Sequence, residues 1–165
     1  MDWTSITIAA GWAIILMGVG GGLTEIGPWY RNLRKPPWQP PDWLFGPAWF
    51  VNLACAGTGF YLALAAAPSA DVRNIVLSLF GVTFVLHALW SPLFFKWKRP
   101  DWALAENAFL WLSVAALVTG LPRLTGSSLA GWLMVPYFAW VSFACVLNAR
   151  IVQLNGPFGN DRAKV

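Results

Sequence analysis

The sequence predicts an all-α integral membrane protein: a bundle of five transmembrane helices forming a single domain over residues 1–165, with a long Pro/Trp-rich loop between helices one and two. Three observations predict it. Hydrophobic residues make up 58% of the chain and charged residues only 11%, less than half of the roughly 25% charge found in soluble domains. The apolar residues fall into five runs, each close to the ~20 residues that a helix needs to cross a hydrocarbon core of about 30 Å. Those runs are continuous rather than alternating, which favours helices over the strands of a membrane barrel.

The first run covers residues 3–23 and carries no charge after Asp2. The opening Met1-Asp2-Trp3 lacks a basic segment, so no signal peptide is expected. The second run, residues 45–67, follows a Pro-rich stretch and is punctuated by Pro68 and Ser69. The third, residues 75–95, ends at Lys96, Lys98 and Arg99. The fourth, residues 102–121, has Glu106 and Asn107 close to its start, and the fifth, residues 129–154, is uncharged until Arg150. Gly18, Gly20, Gly21 and Gly22 would either admit a neighbouring helix or loosen the end of the first one; Gly57 with Tyr61 and Gly81 with Val85 are weaker contact candidates. Cys55 and Cys145 both lie inside apolar runs, as small packing residues rather than a disulfide.

Orientation follows from the connections. Of the 11 Lys and Arg residues, only Arg73 and Arg123 fall on the N-terminal side, whereas Arg31, Arg34, Lys35, Lys96, Lys98, Arg99, Arg150, Arg162 and Lys164 fall on the other. The positive-inside rule therefore puts the first loop and the C-terminus in the cytoplasm. A bacterial inner membrane is expected ahead of an outer one. The net charge of +4 is small and confined to loops, which suits membrane lipids as partners and not nucleic acid.

The loop from residue 25 to residue 44 is the informative connection. It is stiffened by Pro28, Pro36, Pro37, Pro40 and Pro41 and crowded with Trp29, Trp38 and Trp43, unlike a flexible Gly/Ser linker. It is either an interfacial anchor, as Trp and Tyr favour the headgroup layer, or an ordered lid over a cavity between helices.

Trp29 to Trp49 reads WYRNLRKPPWQPPDWLFGPAW, which resembles the signature of the TspO/translocator-protein family, the tryptophan-rich sensory proteins. Leu89-Trp90-Ser91-Pro92-Leu93-Phe94-Phe95 is similar to the end of that family's third helix, and Pro136-Tyr137-Phe138-Ala139-Trp140 through Leu147-Asn148 to its fifth-helix motif. The resemblance spans nearly the whole chain in the right order. It implies a five-helix membrane protein, usually a homodimer, that binds porphyrins or other tetrapyrroles among its helices beneath the first loop. It implies no required cofactor; porphyrin or haem is the expected ligand.

Helical spacing tests that implication from the residues. Trp140, Ala144 and Asn148 recur every four residues and share one helix face. A large indole beside a small Ala leaves a flat-walled notch that suits a planar macrocycle. Trp49, Leu53 and Ala56 form a similar stripe with Asn52 beside it, and Phe84, His87, Ser91 and Phe94 another. Such stripes also arise from plain helix packing. The family motif places ligand contacts at Trp49, Trp140 and Ala144 and on the loop near Trp38 and Trp43. With Trp90, Tyr137, His87 and Asn148 these make up the expected ligand-binding set.

His87 is the only histidine and lies within a span, where ionisable groups are rare and face the bundle interior. The family commonly has Asn at the matching place. A neutral imidazole there could hydrogen-bond a porphyrin carboxylate or, as the alternative, ligate a haem iron; otherwise it is a core residue satisfied by a backbone carbonyl or by Ser91. Glu106 is expected to reach the interface or pair with Arg99. No Tyr stands near Arg150 to complete the short sterol pattern, which tilts the ligand towards porphyrin.

Four functions compete. A tetrapyrrole receptor or regulator is expected first. A carrier would show internal repeats around a midplane site, and none is visible. A light-dependent porphyrin-modifying enzyme would use Trp49 and Trp140 as redox participants; no nucleophile–base pair, metal cluster or nucleotide-binding Gly motif supports ordinary catalysis, so no catalytic residue is expected. An assembly factor for pigment complexes is the fourth.

Overall fold

A computed structural model describes residues 2–159; Arg162 and Lys164, counted above in the charge asymmetry, lie outside them. Helix α1 runs Trp3–Leu23, and a short α2, Pro28–Asn32, lies in the first loop. Then come α3 (Asp42–Ala65), α4 (Ala70–Ser91), α5 (Pro100–Thr125), α6 (Ser128–Trp132) and α7 (Val135–Asn155). Five helical segments are long and apolar enough to cross a membrane, the last formed by α6 and α7 together. The protein is an all-α, multi-pass integral membrane protein.

The helix ends follow from local chemistry. The Asp2 carboxylate caps α1 by accepting from the Ser5 amide at 3.3 Å, and the Ser5 hydroxyl and amide together hold it below the usual carboxylate range. Ser69 caps α4 through the Val72 N–H at 3.2 Å, so this helix starts five residues before its apolar run. Hydropathy marks the lipid-crossing part of a helix and not its hydrogen-bonded ends. Gly126, at φ 72°, closes α5 in the left-handed region, its N–H bonded to the Pro122 carbonyl at 3.0 Å. The fifth span, expected as one helix, is broken at Leu133 and Met134. Pro136 explains the break, because it lacks an N–H and crowds the carbonyl four residues earlier.

Beyond Ser91, α4 widens into a single π-turn, Pro92–Lys96, with the Trp97 N–H bonded to the Pro92 carbonyl at 2.9 Å. Lys98 follows in the left-handed region at φ 55°. This turn swings Phe94 and Phe95 inward beneath α2, where both are buried.

The long helices close a ring in the order α1, α3, α7, α5, α4 and back to α1. One end of the ring is filled. Phe60 and Phe80 stack at 3.9 Å between ring centroids, and Trp12 meets both edge-on while donating to the Phe80 carbonyl at 3.0 Å. At that same end Arg73 reaches the Ser5 hydroxyl at 2.9 Å and the Leu64 carbonyl at 3.2 Å, joining the starts of α1 and α4 to the end of α3. Ile14, Phe50, Val82, Val85, Phe109, Leu112 and Val146 point outward, as lipid-facing side chains do.

Of the glycines expected to admit close approach, Gly57 does so and the others do not. A Cβ at Gly18, Gly20, Gly21, Gly22 or Gly81 would meet nothing within 4 Å, and one at Gly57 would meet Ala13 at 3.2 Å. At Gly59 it would lie 2.9 Å from the Ala130 carbonyl oxygen, and at Gly131 2.8 Å from that of Val118. Those two positions let α6 press against α3 and α5.

Candidate functional site

The other end of the ring is hollow. A cavity of about 460 Å³ lies between α1, α3, α4, α5 and α7 and runs up to the first loop. Trp49 from α3, His87 and Trp90 from α4, and Trp140, Ala144 and Asn148 from α7 all line it. The stripes expected on separate helices thus converge on one space. Trp49 is their hub, its ring edge-on to His87 at 4.7 Å and to Trp140 at 6.1 Å between centroids. Phe45 meets Trp140 edge-on at 5.7 Å between centroids.

Tyr137 does not line the cavity. It is 0% exposed, and its hydroxyl lies 2.7 Å from His87 Nδ1. His87 therefore finds its partner across the ring, on α7, and not in Ser91 or a backbone carbonyl. Trp38 and Trp43 do not line the cavity either. Trp38 is 47% exposed and packs edge-on against Phe143 outside it; Trp43 is 70% exposed. Asn148 lines the wall while its amide serves α5: oriented to match its partners, it donates to the Pro100 carbonyl and accepts from the Leu104 N–H, each at 3.1 Å.

The first loop is an ordered lid. The Tyr30 hydroxyl donates to Asp42 Oδ1 at 2.9 Å, and Gln39 Nε2 donates back to that hydroxyl at 3.2 Å; all three residues line the cavity mouth. Burial, together with the hydrogen bond to Asp42, pushes the Tyr30 phenol well above its ordinary value. Lys35 Nζ sits over the Tyr30 ring, 3.6 Å from its centroid. A second clasp ties the lid to the end of α7: the Arg34 N–H donates to Asn155 Oδ1 at 2.7 Å, and Asn155 Nδ2 donates to the Arg34 carbonyl at 2.8 Å. Trp29 and Tyr30 also pack on Phe94.

Sequence reasoning missed part of this site. Leu16, Met17, Gly20 and Gly21 of α1 line the cavity, and the two glycines leave space there instead of admitting a helix. Asn107 lines it as well, with its Nδ2 unpartnered. The indole nitrogens of Trp90 and Trp140 likewise have no protein acceptor. Glu106 does not pair with Arg99, which instead grips Asp101 and lies over the Trp102 ring. Glu106 is 8% exposed, and neither of its oxygens has a partner. Among the described residues no group of three or more His, Cys, Asp or Glu is placed to hold a metal ion.

Comparison with known proteins places this architecture. A model of the TspO/MBR family matches residues 3–154. The chain is 36% identical over 127 residues to the tryptophan-rich protein TspO of Chlorobaculum tepidum, covering 77% of this chain and 79% of that one. It is 36% identical to the tryptophan-rich sensory protein of Cereibacter sphaeroides, over 82% of each chain. With the human translocator protein the identity is 36%, over 73% of this chain and 70% of the relative.

Proposed function

The chain belongs to the TspO/MBR family, and on that premise we propose that it is a membrane receptor or regulator which takes a porphyrin or related tetrapyrrole into the cavity beneath the lid. One observation carries the reading: Trp49, Trp90 and Trp140 wall a space of about 460 Å³ that opens beside the small Ala144. Its size falls within the roughly 300–1,000 Å³ of small-molecule sites, and flat indole walls suit a planar conjugated ring. Two further features support it. Lys35 stands at the mouth, where tetrapyrrole carboxylates would emerge. The latched lid offers a way in from the loop side.

The test is a titration of the purified protein in lipid nanodiscs with metal-free protoporphyrin IX, followed by tryptophan quenching. Saturable binding is expected, and Ala144→Phe, which fills the notch, should weaken it at least tenfold while the melting temperature holds. A folded wild type that shows no saturable quenching overturns the reading. The same samples, held dark and then illuminated, address a second reading, light-dependent modification of the porphyrin. That reading is favoured by the contact of Trp49 with the His87–Tyr137 pair, three oxidisable groups in a row.

A second copy of the chain is proposed as partner. The shallow groove between α1 and α3, lined by Ala10, Ala13, Ala54 and Gly57, is the small-residue surface on which membrane helices approach closely. The membrane we propose is a bacterial inner one, with the lid and C-terminus in the cytoplasm.

A further inference from the structure

We propose that Tyr137 holds His87 in the tautomer protonated at Nε2, so that this wall of the cavity offers its ligand a hydrogen-bond donor and withholds the lone pair that a metal centre would need. This deepens the tetrapyrrole reading and rests on it for the identity of the ligand; the tautomer itself does not.

The case begins at the phenol. Tyr137 is 0% exposed, and His87 Nδ1, at 2.7 Å, is the hydrogen-bond partner of its hydroxyl among the described residues. The hydroxyl carries one proton and must place it on an acceptor, because a buried donor left unpaired loses its hydration without return. The two tautomers differ in that respect. If Nδ1 carried the proton it would donate to the phenol oxygen, and the phenol hydrogen would have no acceptor in a site closed to water. If Nδ1 is bare, it accepts from the phenol and both groups are satisfied. A doubly protonated ring would leave the phenol hydrogen stranded in the same way, and would bury a cation that no carboxylate contacts.

The proton is then on Nε2. His87 is 8% exposed and lines the cavity, and Nε2 is not among the enclosed atoms that lack a partner. It therefore opens onto the cavity, which Trp49 lines beside it. A protonated Nε2 suits a carboxylate, a carbonyl or a ring nitrogen of a metal-free macrocycle. Iron coordination needs the opposite tautomer, in which the second ring nitrogen donates to a carboxylate, carbonyl or water. Tyr137 is thus a positioning residue: it acts on the ligand through the imidazole without touching it.

Two measurements test this, and the first needs no ligand. The chain has one histidine, so 15N-histidine labelling gives a single pair of ring resonances. A protonated-type Nε2 and a bare-type Nδ1 are expected in the wild type. The reverse assignment overturns the proposal, whatever the protein binds. The second measurement compares ferric haem with metal-free protoporphyrin IX by Soret spectroscopy. Wild-type haem should show no imidazole-type Soret shift, and His87→Ala should weaken haem and metal-free protoporphyrin alike, because it removes the Nε2 donor and no ligand to iron. Tyr137→Phe frees the tautomer, so its haem complex should gain an imidazole-type Soret shift that Tyr137→Phe/His87→Ala loses. A His87-dependent Soret shift in the wild type overturns the proposal. If neither porphyrin binds, the tetrapyrrole reading fails and the 15N assignment alone decides the tautomer.

Discussion

At the scale of single residues, the lid is where a change of protonation has a readable consequence. Tyr30 donates to Asp42 and is pushed above its ordinary value by burial and by that bond. A tyrosine in an unfolded chain titrates at about pH 10, so the latch contributes fully below that point. Its contribution fades as the pH climbs from there towards the higher folded value, because the unfolded chain releases its phenolic proton while the latched phenol must keep its own. Thermal unfolding in nanodiscs should therefore lose stability above pH ~10 in the wild type, and Tyr30→Phe should flatten that slope. At neutral pH the same substitution should cost about 1 kcal/mol, the worth of one partly buried hydrogen bond. An identical alkaline slope in wild type and Tyr30→Phe would show that the latch does not titrate. Tyr30 and Asp42 both stand in the family motif, yet nothing in a run of prolines and indoles marks these two as partners. The loop's path back over the cavity makes them so.

At the scale of elements, the bundle is held by approaches that hydropathy does not register. Gly131 lets α6 lie so close to α5 that an added Cβ would sit 2.8 Å from the Val118 carbonyl oxygen. Backbone cannot yield as a side chain can, so Gly131→Ala should destabilise by about 1–3 kcal/mol. Gly120→Ala is the matched control. Its Cβ meets nothing within 4 Å, and better helix propensity should leave it neutral or up to about 1 kcal/mol more stable. Equal melting temperatures for the two variants would refute the packing role. The break between α6 and α7 was not read from the sequence, which showed one continuous fifth span, although Pro136 marks the place and its consequence is local. The π-turn after Ser91 was not read either: the third span was expected unbroken to residue 95, and the form of the turn depends on the packing of Phe94 and Phe95 under the lid.

At the scale of the whole molecule, the ring of helices fixes which loops share a face, and the charge asymmetry proposes which face is inside. Cysteine probes at Arg34 and Ser127, on a background with Cys55 and Cys145 replaced, should be labelled from opposite sides, with position 34 reached from the cytoplasm. Labelling of both from one side would contradict the fold itself; opposite sidedness with Ser127 cytoplasmic would reverse the orientation alone. The number of spans was legible in the sequence for a physical reason. Within hydrocarbon each helix must satisfy its own backbone, so apolar length alone decides where it crosses. The cavity-lining stripes of α3, α4 and α7 were legible because their residues recur at helical spacing. The inward faces of α1 and α5 were not, because lipid-facing and protein-facing sides are both apolar and periodicity then carries little signal. The sequence by itself therefore determined five crossings, their relative sidedness and an aromatic wall. Only the tertiary structure decided that Tyr137 meets His87, 50 residues away, that Asn148 clasps the start of α5, and that the glycines at the end of α1 open onto the cavity. Those contacts depend on the rotation and distance of whole helices, which no helix encodes alone.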